Sequence, residues 1–300
     1  MNYLFWAFIL LILSTLLYFS VGLIAATTMT RVGDHPQYDQ TPGTYGLKYK
    51  TVQISSRVDQ LKLAAWYIPK QDAKRALILV HGRDASKQNA ISGRLPKLAA
   101  ELHQRGLAVL MLDLRGHGES EGKRYTWGVY ERRDVLGAVD FLLGEGFSQG
   151  RIAVLGISLG GAATIGAGYE EPAIGGLVLD STFADLPALV KPNWRKESGL
   201  PNFLLPSAFL MWQALYRFDL ESVKPTEELA AMPPRPVLVV HSQSDETVPV
   251  LHGKQLAEAA PHGELVLFEN CDHAELFRDS PDHYLHAMDH FLDDMWVVGE

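Results

Sequence analysis

An apolar run, Arg151-Ile-Ala-Val-Leu155, leads directly into Gly156-Ile-Ser-Leu-Gly160 and then into the small residues Gly161-Ala-Ala-Thr-Ile-Gly-Ala167. The segment reads as a strand, a very tight turn and a helix start, with Ser158 at the apex. Glycines two positions either side of the serine are required because a Cβ at either would collide across the turn. The hydroxyl is then pushed out of the sheet while backbone N–H groups gather beside it at the helix start. Such a turn suits nucleophilic acyl transfer. Its bland counterpart is an ordinary Gly-rich strand-to-helix connection, so the residues downstream must decide.

Two partners follow in an informative order. The strand Val237-Leu-Val-Val240 ends in His241-Ser-Gln-Ser-Asp245-Glu-Thr-Val-Pro249, and Glu264-Leu-Val-Leu-Phe268 leads to Cys271-Asp-His273. An acid and a histidine thus lie just past the carboxyl ends of two successive strands, the edge at which open α/β sheets hold their ligands. The order Ser158, Asp245, His273 is the one that nucleophile-elbow hydrolases require.

Hydrophobic patterning gives the fold class independently. Lys50–Ser55 and Leu61–Ile68 read as early strands; Ala76–Val80, Ala108–Asp113, Arg151–Ile157, Gly176–Asp180, Val237–Val240 and Leu265–Phe268 are short apolar runs. Continuous apolar runs suit strands buried on both faces of a parallel sheet. Helical patterns alternate with them. Tyr130, Val135, Ala138, Val139 and Leu142 form one stripe, with Glu131, Arg132, Arg133 and Asp140 expected on the solvent face. A last helix is expected from about Asp282 to Trp296. The alternation predicts an α/β, mostly parallel, doubly wound sheet with right-handed crossovers.

With Val80-His-Gly-Arg83 and Asp113-Leu-Arg-Gly-His-Gly-Glu-Ser120 added to the three segments above, the chain from Tyr45 onward resembles the α/β-hydrolase superfamily. Within it, the likeness is to the serine-hydrolase branch with lysophospholipase-like and membrane-anchored esterase members. The resemblance implies Ser158 as nucleophile, His273 as base, Asp245 as the acid that orients it, and an oxyanion hole from the backbone N–H groups of Arg83 and Leu159. It implies no metal and no organic cofactor. A serine at the elbow excludes the sister chemistries that use aspartate (dehalogenases, epoxide hydrolases) or cysteine (dienelactone-type enzymes). The expected activity is hydrolysis of carboxylic esters or thioesters, with a small-molecule or lipid-like substrate. A serine peptidase or aminopeptidase of the same fold and a non-catalytic ligand-binding protein on that scaffold are the alternatives.

Other candidates carry weaker readings. Asp180, closing an earlier strand, is the rival acid. Asp113 is expected to hold Arg115 or its local turn, and Asp272 to be solvated. His81 is expected to shape the oxyanion loop, His117 its own turn, and His241 the loop that carries the acid. His252, His262, His283, His286 and His290 are expected in helices or at their ends, solvated or capping. Cys271 is the chain's single cysteine; it excludes an intrachain disulfide and reads as a small packed side chain.

Residues Thr182 to Pro236 break the strand–helix rhythm, and the resemblance implies a lid there. Phe183, Leu186, Leu189, Trp194, Phe203, Leu204, Phe209, Met211, Trp212 and Tyr216 supply its apolar positions, either as helix-packing stripes or as an acyl-binding lining.

Ahead of the catalytic domain, Tyr3 to Ala26 carries no charged side chain, and the first charge is Arg31. At ~1.5 Å per residue the run spans ~36 Å, enough for a hydrocarbon core of about 30 Å. Tyr3 and Trp6 suit an interface. A signal peptide cleaved near Ala25-Ala26 is the alternative, disfavoured by the absence of Lys or Arg ahead of an overlong apolar stretch. The expectation is a single-pass anchor over 1–30, a linker over 31–44 and a hydrolase domain over 45–300 with a lid insertion at 182–235. Arg31, Lys48 and Lys50 leave the orientation open, and a net charge of −8 argues against a nucleic-acid surface.

Overall fold

The structure, a computed structural model, describes residues 2–33 and 36–297. Positions 34 and 35 of the expected linker, residue 1 of the expected anchor and residues 298–300 lie outside the described residues.

Among these, eight strands form one sheet: β1 (Lys50–Ser55), β2 (Lys62–Ile68), β3 (Ala76–Val80), β4 (Ala108–Leu112), β5 (Ile152–Ile157), β6 (Ile174–Asp180), β7 (Pro236–Ser242) and β8 (His262–Phe268). Their spatial order is β1-β2-β4-β3-β5-β6-β7-β8. β2 runs antiparallel to β1 and β4, and every other pairing is parallel. The doubly wound, mostly parallel sheet is the expected one, and the strand bounds agree to within three residues.

Helices in chain order are α1 (Asn2–Thr28), α2 (Ala90–Gly93), α3 (Leu95–Gln104), α4 (Glu131–Gly144), α5 (Leu159–Glu170), α6 (Leu186–Ser198), α7 (Leu205–Tyr216), α8 (Pro225–Ala231), α9 (Val250–Ala259), α10 (Leu276–Asp279) and α11 (Pro281–Val297).

Every residue of β3, β4 and β5 is buried, which is why their sequences are Ala, Val, Leu and Ile apart from Met111 in β4 and Gly156 in β5. Removing one such Leu or Ile side chain from water is worth about 1.5–3 kcal/mol. β8 differs. As an edge strand its first residues are exposed, so it begins at His262, ahead of its apolar run. His262 therefore lies in a strand, contrary to the helical placement expected for it.

Two compact units divide the chain: Met1–Arg31 with Asp185–Lys224, and Val32–Ala184 with Pro225–Glu300. The sheet and its flanking helices make the second. In the first, Asp185 caps α6 by accepting the Ala188 N–H at 2.7 Å, and Gly199 ends the helix in the left-handed conformation at φ 69°. Trp194 is buried and donates its indole N–H to the Pro201 carbonyl at 3.1 Å.

Helix α1 has two halves of different character. Its side chains from Tyr3 to Leu17 are exposed apart from partly covered Ile9. From Tyr18 onward a stripe of Tyr18, Val21, Gly22, Ala25 and Met29 packs on Leu204, Leu205, Ser207 and Ala208. Tyr18 donates its hydroxyl to the Phe203 carbonyl at 3.2 Å, and the Thr30 and Tyr216 hydroxyls lie 2.8 Å apart. A Cβ at Gly22 would sit 2.6 Å from the Ser207 hydroxyl, so only glycine permits this approach. Small residues at such a seam let two helix backbones come close.

Candidate active site

Parallel register aligns the carboxyl ends of β3, β5, β6 and β7 on one sheet edge: Val80 pairs with Gly156, Ile157 with Asp180, and Asp180 with Val240. Ser158, Asp245 and His273 collect beyond that edge.

Ser158 sits between β5 and α5 with φ 53° and ψ −114°. A non-glycine residue in that region costs about 1–3 kcal/mol, a strain that persists only where the surroundings enforce it. Here they do. The Ser158 N–H donates to the Asp180 carbonyl at 2.8 Å, and its own carbonyl accepts from Gly161 at 2.9 Å. A Cβ at Gly156 would collide with the Gly160 carbonyl, and one at Gly160 with the carbonyls of His81 and Val80. The tight turn holds the serine at its apex, with Gly156 required for the reason read from the sequence and Gly160 required instead by its approach to the end of β3.

His273 comes within reach of both neighbours. Its Nε2 lies 3.0 Å from Ser158 Oγ, and its Nδ1 lies 2.7 Å from Asp245 Oδ2. The other carboxylate oxygen of Asp245 accepts the N–H groups of Thr247 at 2.9 Å and Val248 at 2.8 Å. Burial works to raise the Asp245 carboxyl, but its bonds to His273 and Val248 outweigh this and hold it below the usual carboxylate value. An ionised Asp245 fixes the proton of the imidazole on Nδ1 and leaves Nε2 free to accept.

The backbone beside Ser158 comes from two segments. Leu159 is the first residue of α5, so its N–H has no acceptor within the helix. Gly82 runs against the serine: a Cβ there would lie 3.3 Å from Ser158 Cβ. Arg83 follows, its guanidinium 5.4 Å over the Trp127 ring. His81 is buried; its Nδ1–H donates to the Gly82 carbonyl at 2.7 Å, and its Nε2 accepts the Leu114 N–H at 3.0 Å. It thereby ties the Gly82–Arg83 turn to the next strand end.

The rival acid, Asp180, does not bond the imidazole. It is fully buried and accepts from the hydroxyls of Ser181 at 2.8 Å and Tyr284 at 3.0 Å. Burial pushes its carboxyl up to about 6, against the pull of those two hydroxyls. Ser181 in turn accepts the Ala274 N–H at 3.2 Å, so this carboxyl braces the loop that carries His273. His241 is buried, donates Nε2–H to the Val248 carbonyl at 2.8 Å and stands 3.6 Å from Asp245. Burial holds it below the usual imidazole value, as a neutral strut of the acid's loop. His117 likewise orders its own turn, its Nδ1 2.9 Å from the Arg115 carbonyl. Cys271 is buried, and burial raises its thiol.

Several expectations need correction. Of the two roles expected for Asp113, the hold on its local turn stands, since it accepts the Glu119 N–H at 3.0 Å, and the hold on Arg115 does not. Its carboxylate accepts the Lys87 N–H at 2.7 Å and the Lys87 ammonium at 2.6 Å, both groups being buried, whereas Arg115 is clasped by Asp134 at 2.7 Å. Glu131 is not on the solvent face of α4. It is fully buried, accepting the Thr126 and Gly128 N–H groups at 2.9 and 2.8 Å, and so closes the turn ahead of its helix. His252 is neither solvated nor capping: it is buried and accepts the Ala184 N–H at 3.2 Å. His283, His286 and His290 are exposed on α11, and Asp272 pairs with Arg278 at 3.0 Å while staying exposed.

Comparison with known proteins matches this architecture. The family model described as "Serine aminopeptidase, S33" matches residues 71–215. The α/β hydrolase domain-containing protein WAV2 of Arabidopsis thaliana is 30% identical over 236 residues, covering 74% of this chain and 70% of that protein. The uncharacterized protein YqkD of Bacillus subtilis is 28% identical over 240 residues, 78% of this chain and 76% of the relative. Among solved structures, an esterase from Pyrococcus furiosus, Pf2001, superposes with a TM-score of 0.71 at 23% identity, over 88% of this chain and 98% of that one.

Proposed function

We propose, from the premise that this chain belongs to the α/β-hydrolase family, that it is a serine hydrolase cleaving hydrophobic carboxylic esters or thioesters. The observation that carries this reading is the continuous hydrogen-bonded line from Ser158 Oγ through the two nitrogens of His273 to Asp245. A serine hydroxyl is a poor nucleophile at neutral pH and needs a base within bonding distance. His273 Nε2 takes the proton as Oγ attacks the carbonyl carbon, then returns it to the departing alkoxide or thiolate. Asp245 stabilises the imidazolium without being protonated. The negative charge on the tetrahedral oxygen falls to the N–H groups of Leu159 and Arg83, each such donor being worth about 3–4 kcal/mol of barrier. Water, activated by the same imidazole, then releases the acid.

Two features support an ester of apolar character. The solved relative in fold from Pyrococcus furiosus is an esterase. Helix α1, an uncharged and mostly apolar stretch of 26 residues from Tyr3 to Thr28 with little of its surface covered, acts in this reading as a single-pass membrane anchor and places the enzyme where lipid-like esters concentrate. The residues 182–235 act as the lid. The match to a family described as serine aminopeptidases favours a second reading, cleavage of an N-terminal residue from a peptide.

A fluorophosphonate probe tests the nucleophile. It should label the parent protein and leave Ser158→Ala unlabelled; equal labelling of both removes Ser158 from the mechanism, and labelling of neither favours a binding protein. A panel of p-nitrophenyl esters of rising acyl length beside aminoacyl p-nitroanilides separates the two activities.

A further inference from the structure

Within the unit built from α1 and residues 185–224, the helices α1 and α7 run side by side in parallel. Tyr18 meets Phe203, Gly22 meets Ser207, and Thr30 meets Tyr216. This pairing fixes the level of each α7 residue along α1. If the apolar core of a bilayer begins near Tyr3, the level of Tyr18 lies ~22 Å along the helix axis and that of Gly22 ~28 Å. A hydrocarbon core is about 30 Å thick. Phe203 therefore stands several ångströms inside the level at which α1 leaves the core, and Ser207 close to the exit.

The side chains at that level suit such an environment. Phe203 is 68% exposed and Leu210 is 51% exposed. No charged residue or histidine occurs from Ser198 to Tyr216, while Arg195, Lys196 and Glu197 precede the stretch and Arg217 follows it. Backbone groups there find partners within the protein: the Leu204 N–H returns to the Pro201 carbonyl, and the Phe203 carbonyl takes the Tyr18 hydroxyl. Satisfaction of backbone polar groups is the condition for entering hydrocarbon. The uncovered apolar surface of α1 thus continues without a charged break onto the turn before α7.

We propose that the turn Asn202–Leu204 and the first turn of α7 are immersed in the lipid bilayer beside α1, with Phe203 in the acyl chains and Leu210 at the headgroup level. The proposal rests on the anchor reading of α1 and adds to it a second membrane contact supplied by the catalytic chain itself. The partner is a lipid surface. Parallel pairing requires it, because a helix that spans the core carries whatever is docked along its last turns to the same depth.

The test uses the full-length protein in phosphatidylcholine vesicles. Cys271 is buried, so a cysteine introduced at an exposed position takes an NBD fluorophore selectively, with unmutated protein as the blank. Three positions are compared: Phe203→Cys, Leu10→Cys on the exposed part of α1, and Lys196→Cys on the charged part of α6. Quenching by lipids brominated along their acyl chains should be several-fold stronger at 203 and 10 than at 196. Position 203 should respond best to the shallower bromines. Quenching at 10 but not at 203 overturns the proposal and leaves the anchor intact. Quenching at neither overturns both. A blue-shifted but unquenched probe at 203 means that protein, such as a second copy of this chain, covers the patch, and also overturns it.

Discussion

Replacing Asp245 by asparagine isolates what its carboxylate does for the imidazole. In the parent, one carboxylate oxygen holds the Thr247 and Val248 N–H groups and the other accepts from His273 Nδ1 at 2.7 Å. An asparagine has one acceptor oxygen and one donor NH2 group. Two backbone donors compete for the oxygen, so it stays with them and the NH2 turns to the imidazole. Nδ1 must then accept, and the ring proton moves to Nε2, which points it at Ser158 Oγ from 3.0 Å. An Nε2 that carries a proton cannot take another from the serine. The fold is kept, since side-chain volume and both loop-ordering bonds survive, but kcat should fall by about 10⁴-fold, or ~5.4 kcal/mol of barrier. The assay is initial-rate hydrolysis of p-nitrophenyl butyrate, with fluorophosphonate labelling rates as a second measure and melting temperature as the folding control. A loss below tenfold with unchanged melting would refute the reasoning and direct attention to Asp180.

Asp180 gives a pH signature. Its carboxyl is raised from 3.8 to about 6 in the folded chain, so the native state binds its proton more tightly than the unfolded one. Stability from this group is complete below pH ~4 and is lost as pH rises to ~6, a change of about 3 kcal/mol; the melting temperature of the parent relative to Asp180→Asn should fall between pH 4.5 and 7, and a flat difference would count against a buried neutral carboxyl. Lys87→Ala leaves the Asp113 carboxylate buried beside an emptied site, which should cost about 3–5 kcal/mol. Denaturant titration of Lys87→Ala against Glu119→Ala, whose side chain is mostly exposed, should show a large loss in the first and little in the second.

What the sequence reveals follows from where the determining forces act. Strands such as β3 and β4 are legible because burial on both faces demands unbroken aliphatic runs, and the turn at Ser158 is legible because two glycines are needed within one local bend. Asp245 and His273 can be picked out since each follows a strand that ends on the same sheet edge. The sequence is silent where one side chain answers another far away. Lys87 meets Asp113 across 26 positions, and His252 meets Ala184 across 68, with no periodicity to mark either. Glu131 departs from its expected face for a different reason: a helical wheel assigns faces but does not see the turn preceding the first residue, which this carboxylate closes. The pairing of α1 with α7 left only faint traces, the small residues Gly22 and Ala26 one turn apart and the uncharged run to Tyr216.

That pairing also sets an order of events during synthesis. Tyr18 waits for Phe203, which lies 185 residues downstream; at roughly 5–20 residues per second, the ribosome needs on the order of ten to forty seconds to deliver it. For that interval the seam around Gly22 lacks its partner helix, and under the proposed anchor reading lipid or an insertion factor fills it until α7 displaces them. Maturation of this chain is thus timed by the arrival of its own latecomer helix, and a rare-codon pause placed before residue 205 would lengthen the vulnerable period without changing a single amino acid.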